Sequence, residues 1–154
     1  MTAGLRCLLA AAAAAAACAA SCVRPVHSVA ADVDPRCWAA GEEALMEYDN
    51  DDTLSLRDIY LILRINDNMT RPAVRLRIST LAPDSTQTHE EVLFDFAGVK
   101  RFNSPVEAER LYRRAARLSQ AGRYRFSAAP VDTLRGVMAA IVEMRNFTET
   151  RDDG

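Results

Sequence analysis

DIYLILRIND, residues 58–67, decides the fold. Ile59, Leu61, Leu63 and Ile65 alternate strictly with Tyr60, Ile62, Arg64 and Asn66. A period of two places the first set on one face of a β-strand and the second on the other. Asn66-Asp67-Asn68 then supplies turn residues, and Pro72 forbids a helix across the junction. AVRLRIST repeats the period, with Val74, Leu76 and Ile78 against Arg75, Arg77 and Ser79, so the two runs predict a hairpin. After Pro83-Asp84-Ser85, EVLFDF sets Val92, Phe94 and Phe96 on one side as a third strand.

Farther along, RYRFSA alternates Tyr124, Phe126 and Ala128 with Arg123, Arg125 and Ser127. GVMAAIVEM closes the domain, with Met138, Ala140, Val142 and Met144 expected to face the core. ALMEY, with Ala44, Met46 and Tyr48, is a weaker strand. Short alternating strands between turn signals predict an all-β fold, an antiparallel β-sandwich of jelly-roll type, because one sheet alone would leave its apolar face wet. One segment competes. SPVEAERLYRRAARLSQAG has Ser104 as an N-cap, Pro105 at the first helical position, Glu107 completing a capping box, and Ala108, Leu111, Tyr112, Ala115 and Leu118 at helical spacing. Read locally, residues 105–119 form one short helix.

The amino terminus sets the compartment. Leu8–Ala20 is apolar but mostly alanine and shorter than the ~20 residues a membrane span needs. Arg6, the Leu8–Cys18 run and Ala19-Ala20-Ser21 instead supply, in order, the three parts of an export signal. Cys22 after two small residues resembles a bacterial lipobox, in which the cysteine sulfur receives a diacylglycerol, cleavage exposes the cysteine as the first residue, and its amine is usually acylated as well. Ordinary secretion, with cleavage near Val29-Ala30-Ala31, is the competing reading. The expected organisation is a lipoprotein signal peptide at 1–21, a flexible tether at 22–36, a sandwich domain at 37–148 and a disordered tail at 149–154.

Without the signal, 18 basic residues face 21 acidic ones, a net charge of −3 that gives no electrostatic case for nucleic acid. Cys7 and Cys18 leave with the signal and Cys22 carries lipid. Cys37 then has no disulfide partner and reads, beside Trp38, as a small buried hydrophobe.

Candidate chemistry is sparse. Hydrolysis would need a nucleophile with a histidine base, but His27 falls in the expected tether and His89 at a strand end among Thr88, Glu90 and Glu91. Asp49-Asn50-Asp51-Asp52 lacks the glycine and glutamate that a calcium-binding loop would want at positions 54 and 60. The chain therefore reads as non-catalytic, with no metal site and no cofactor. Arg75, Arg77, Arg123 and Arg125 face outward on two expected strands; were those strands neighbours, they would form a basic stripe for an acidic partner or a lipopolysaccharide phosphate.

Together, Cys22, Trp38, YLILRIN (60–66), AVRLRIST, Ala82-Pro83-Asp84, Gly122-Arg123-Tyr124-Arg125-Phe126 and Leu134-Arg135-Gly136-Val137 resemble, in order, the GldH-type gliding-motility lipoproteins of the Bacteroidetes. The sequence departs from that pattern at Ala97-Gly98, where a glycine-tryptophan turn is usual, and in the arginine-rich stretch 110–118. The resemblance implies a mostly β fold, in which Tyr112, Arg114, Ala116 and Leu118 would alternate along a strand rather than a helix. It also implies a membrane-anchored component of a motility or type IX secretion-associated assembly in the cell envelope, with envelope proteins as partners. Asp52-Thr53-Leu54, Asp84-Ser85-Thr86 and Asp132-Thr133-Leu134 resemble the O-glycan acceptor tripeptides of that phylum, making Thr53, Ser85 and Thr133 candidate glycosylation sites. A small-ligand or glycan-binding envelope lipoprotein is the alternative function.

Overall fold

The computed structural model describes residues 27–99 and 104–149. Residues 1–21, Cys22 and nearly all of the expected tail lie outside that range. Eight strands run in chain order: β1 (His27–Asp32), β2 (Ala44–Asn50), β3 (Arg57–Ile65), β4 (Ala73–Leu81), β5 (Gln87–Asp95), β6 (Val106–Ala116), β7 (Gly122–Pro130) and β8 (Val137–Asn146). They form two antiparallel sheets, ordered β1-β8-β3-β6 and β2-β7-β4-β5. Interleaving sequence-distant strands in this way is the jelly-roll topology.

The alternating residues pack between the sheets as expected: Ile59, Leu61, Leu63 and Ile65 from β3 meet Val74, Leu76 and Ile78 from β4 and Tyr124 and Phe126 from β7 in one core. Burying each large apolar side chain stabilises the fold by about 1.5–3 kcal/mol. Trp38 lies in this core, its indole N–H donating to the Glu42 carbonyl at 2.9 Å.

Four expectations are corrected. First, no helix occupies residues 106–116; this stretch is strand β6, paired with β3 from Arg57↔Ala116 to Ile65↔Val106. Ala108, Tyr112 and Ala116 pack on the core. Their spacing of four satisfies a strand as well as a helix. Leu111, which a helix would have buried, is 42% exposed, and Glu107 binds Arg64 at 2.7 Å instead of closing a capping box. Ala115 takes a positive φ of 49° where the register with β3 shifts, so the alternation breaks before Leu118.

Second, the expected tether at 22–36 contains a strand. β1 pairs with β8 from His27↔Met144 to Asp32↔Ala139, and Val29 and Ala31 pack on the core, so the sandwich takes in residues as far as ten positions before Cys37. Third, Cys37 is an exposed free thiol rather than a buried hydrophobe. Finally, Met138 does not take the core place. A register shift between Arg64 and Ile65 puts Val137 opposite Ile65, and Val137 is fully buried with Ala140, Val142 and Met144.

Both edges of the sandwich are closed by side chains, the usual remedy for unpaired strand edges. Between β1 and β2, His27 Nδ1 and the Tyr48 hydroxyl lie 3.1 Å apart, their rings edge to face. Between β5 and β6, Glu90 accepts from Tyr112 and Arg113, and Arg110 caps the Leu93 carbonyl at 2.6 Å.

The antiparallel registers fix the two ends. One end gathers the start of β1, the β2–β3 loop with Thr53, the β4–β5 turn with Ser85, and the β6–β7 loop. The other gathers the β1–β2, β3–β4 and β7–β8 loops, the last carrying Thr133.

Candidate functional site

Strands β4 and β7 are neighbours, yet the four arginines expected to form a stripe do not line up. Arg77 stands opposite Ala129 and Arg125 opposite Leu81, four residues apart along the ladder, roughly 13 Å. Arg123 binds Asp49 at 2.9 Å, Arg125 binds Glu47 at 3.1 Å, and Arg77 faces Glu91 at 3.8 Å. The hydrogen bond from Arg123 holds the Asp49 carboxyl below the usual carboxylate range. The outer face of this sheet is therefore a ladder of alternating charge. Only Arg75, nearest the β1–β2 loop end, has no carboxylate partner among the described residues.

The other candidates fall as follows. Thr53 is half-buried in the β2–β3 loop, Ser85 is exposed in the β4–β5 turn at a φ of 70°, and Thr133 is exposed in the β7–β8 loop, its Oγ1 accepting from the Ala40 N–H at 3.2 Å. Asp52 and Asp84 are used by their own turns: Asp52 accepts from the Leu54 and Ser55 amides, and Asp84 from Thr86. Bonds from Ser55, then Leu54 and Arg57, hold the Asp52 carboxyl far below its ordinary range. Asp49 and Asp52 are thus engaged by arginines. His89 is held by Ser79 on the neighbouring strand, Oγ to Nδ1 2.7 Å, on the open outer face of the sheet.

The outer face of the other sheet carries Tyr60, Ile62, Ala139 and Ile141 as a second apolar cluster. The Arg145 guanidinium lies 4.0 Å over the Tyr60 ring and reaches Glu109 at 2.7 Å and Glu143 at 2.6 Å, spanning three strands. Those bonds hold Arg145 more basic than usual and Glu109 more acidic.

The cleft that sequence reasoning missed lies at the loop end away from β1's start. The β3–β4 and β7–β8 loops enclose about 240 Å³ lined by Asn68, Met69, Thr70, Arg71, Thr133 and Arg135. A second hollow of about 150 Å³ shares Arg71 and continues past Arg75 to Leu93 and Asp132. These walls are locked together. Asn66 N–H donates to the Gly136 carbonyl and Gly136 N–H to the Pro35 carbonyl, each at 2.8 Å, while Trp38 and Leu134 exchange backbone bonds at 2.9 Å. Gly136 has a φ of +86°, and a Cβ there would lie 2.2 Å from the Met69 nitrogen, so only glycine lets the loops meet.

The strand order and the locked loops define the class as an eight-stranded jelly-roll sandwich with a basic cleft at one end. No protein-family model matches the chain, and no curated protein does. Among solved structures, the chain is similar to a carbohydrate-binding module specific for non-crystalline cellulose, with 11% identity and a TM-score of 0.37 over 77% of this chain and 70% of that one. A likeness that distant bears on neither ligand nor mechanism.

Proposed function

We propose that the chain is a lipid-anchored, non-catalytic interaction module of the cell envelope, cleaved before Cys22 and diacylated there. In this reading it serves, as its resemblance to gliding-motility lipoproteins implies, in a motility or type IX secretion-associated assembly. The observation that supports the anchor over ordinary secretion is strand β1. Val29, Ala30 and Ala31, the alternative cleavage site, pair with Val142, Ile141 and Ala140, so cutting there would strip an edge strand from the sheet. Cleavage before Cys22 leaves β1 whole. His27 lies five residues beyond Cys22, a reach of at most about 18 Å, which would hold the β1 end of the sandwich close to the bilayer and turn the arginine cleft away from it.

Metabolic labelling with palmitate tests the anchor. The wild-type chain incorporates label and fractionates with membranes, whereas Cys22→Ala does neither; an unlabelled wild-type chain would remove the anchor from the account. Crosslinking pull-down from the native membrane tests the assembly, with secretion or motility components expected. Peptides spanning Thr53, Ser85 and Thr133 from the native host would carry a glycan mass shift if the acceptor tripeptides are used.

The alternative reading, a small-ligand or glycan-binding lipoprotein, draws support from the cleft at the loop end. Its 240 Å³ falls below the roughly 300–1,000 Å³ of drug-sized sites and suits one sugar-sized body.

A further inference from the structure

We infer that the cleft between the β3–β4 and β7–β8 loops binds a sugar-sized acid, a saccharide carrying a carboxylate or a phosphate; this rests on the ligand-binding reading of the cleft and not on the lipid anchor. Arginine charge is unevenly spent on this surface. Arg64, Arg123, Arg125 and Arg145 each hold a carboxylate at 2.7–3.1 Å. Arg110, Arg114 and Arg117 lack a carboxylate partner among the described residues as well, Arg110 bonding the Leu93 carbonyl and Arg114 lying over Phe147, but around the cleft the unpaired groups line a hollow. Among the described residues, Arg75 and Arg135 have no carboxylate partner, and Arg71 has only Asp132 at 3.7 Å, too long for a hydrogen bond.

Two guanidinium groups, Arg71 and Arg135, thus line the cleft with no carboxylate in its wall, and the adjoining hollow, which shares Arg71, sets Arg75 beside Asp132. A concave surface lined by one sign of charge concentrates opposite charge, and the planar fork of arginine matches carboxylate and phosphate oxygens in pairs. Asn68, Thr70 and Thr133 add neutral donors and acceptors suited to hydroxyl groups. No aromatic ring lines either hollow, and the single tryptophan is buried in the core, so a neutral sugar would find no stacking platform here. Charge rather than stacking must carry recognition. The walls are also preorganised, since the Gly136 contact and the paired backbone bonds fix both loops before a ligand arrives.

The test is amide chemical-shift titration of the folded chain with D-galacturonate, glucose 6-phosphate, galactose and glucose at two salt concentrations. The inference expects one or both acids to shift residues 68–71 and 131–136 saturably and more weakly at higher salt, with no saturable shift from the neutral sugars. The two acids separate a carboxylate ligand from a phosphate one. Arg71→Ala and Arg135→Ala should each weaken binding at least tenfold while the remaining spectrum is unchanged, and Arg117→Ala, at the far end, should not. If galactose or glucose binds the cleft as well as its acid does, the ligand-binding reading stands and the acidic specificity is overturned. If no probe shifts these residues, or shifts scatter over arginines elsewhere, both fall.

Discussion

At the end of the sandwich where β1 begins, Arg57 is buried, its guanidinium 3.1 Å from Asp52 and 3.4 Å from the Tyr48 hydroxyl, which in turn meets His27. At the opposite end, Arg71, Arg75 and Arg135 stand in water around a cleft. The same residue type is structural in one place and unspent in the other. A buried charge must be paired within the chain, whereas an exposed one can await a partner outside it. The contrast runs along the axis that a lipid at Cys22 would set, with the buried arginine at the β1 end and the cleft at the other; Arg117, exposed at the β1 end, lies outside both hollows.

Four changes would break or sharpen that contrast. The largest effect belongs to Gly136→Ala, because the new Cβ meets the Asn68–Met69 backbone at a φ that side chains resist. A loss of about 3 kcal/mol or more is expected in urea unfolding. Arg57→Ala comes next. It strips Asp52 and Tyr48 of a buried partner, for a loss of about 2 kcal/mol. Arg71→Ala or Arg135→Ala should stay within about 0.5 kcal/mol of wild type, since neither side chain is packed or tightly paired. Equal losses at both ends would erase the distinction.

The smallest effect is a pH dependence at the β5–β6 edge, which belongs to neither end. Burial pushes Glu90 up, but bonds from Tyr112 and Arg113 outweigh it and hold the carboxyl below its ordinary range. Its contribution is present above the unfolded carboxylate pKa of about 4.3 and fades as pH falls through the lower folded value. Tyr112 moves the other way, raised by burial and by Glu90 to about 12. Its contribution is complete below about 10, the unfolded value, and is lost as pH rises toward 12. Amide hydrogen exchange near residues 88–93 and 110–113 should therefore loosen at both extremes, and Tyr112→Phe should remove the alkaline limb and shrink the acid one, because Glu90 keeps only its bond from Arg113.

Sequence reading reached the sandwich because β3, β4, β5 and β7 alternate over long runs, and a two-residue period has one structural meaning. The local helix reading failed at β6, where apolar residues four apart fit helix and strand alike and pairing with β3 decides for the strand, the other reading of that stretch. Sequence reading also failed at β1, since HSVAAD is short, built of small residues and gains its place only by lying on β8. The arginine stripe was misjudged for a related reason: pairing of β4 with β7 was foreseeable as a condition, but the four-residue offset is set by three-dimensional register. The cleft left no linear signal at all. Its walls come from loops some sixty residues apart, joined by a glycine that reads in sequence only as a turn.

The central claim is the polarity of the sandwich relative to the membrane. It is tested most directly by nitroxide labels at Thr53→Cys and Thr133→Cys, each in a Cys37→Ser background of the native-host lipidated protein on vesicles. The account predicts that a lipid-soluble relaxing agent broadens the label at position 53 and a water-soluble one the label at position 133. The reverse pattern, or equal exposure of both labels to water, would contradict it.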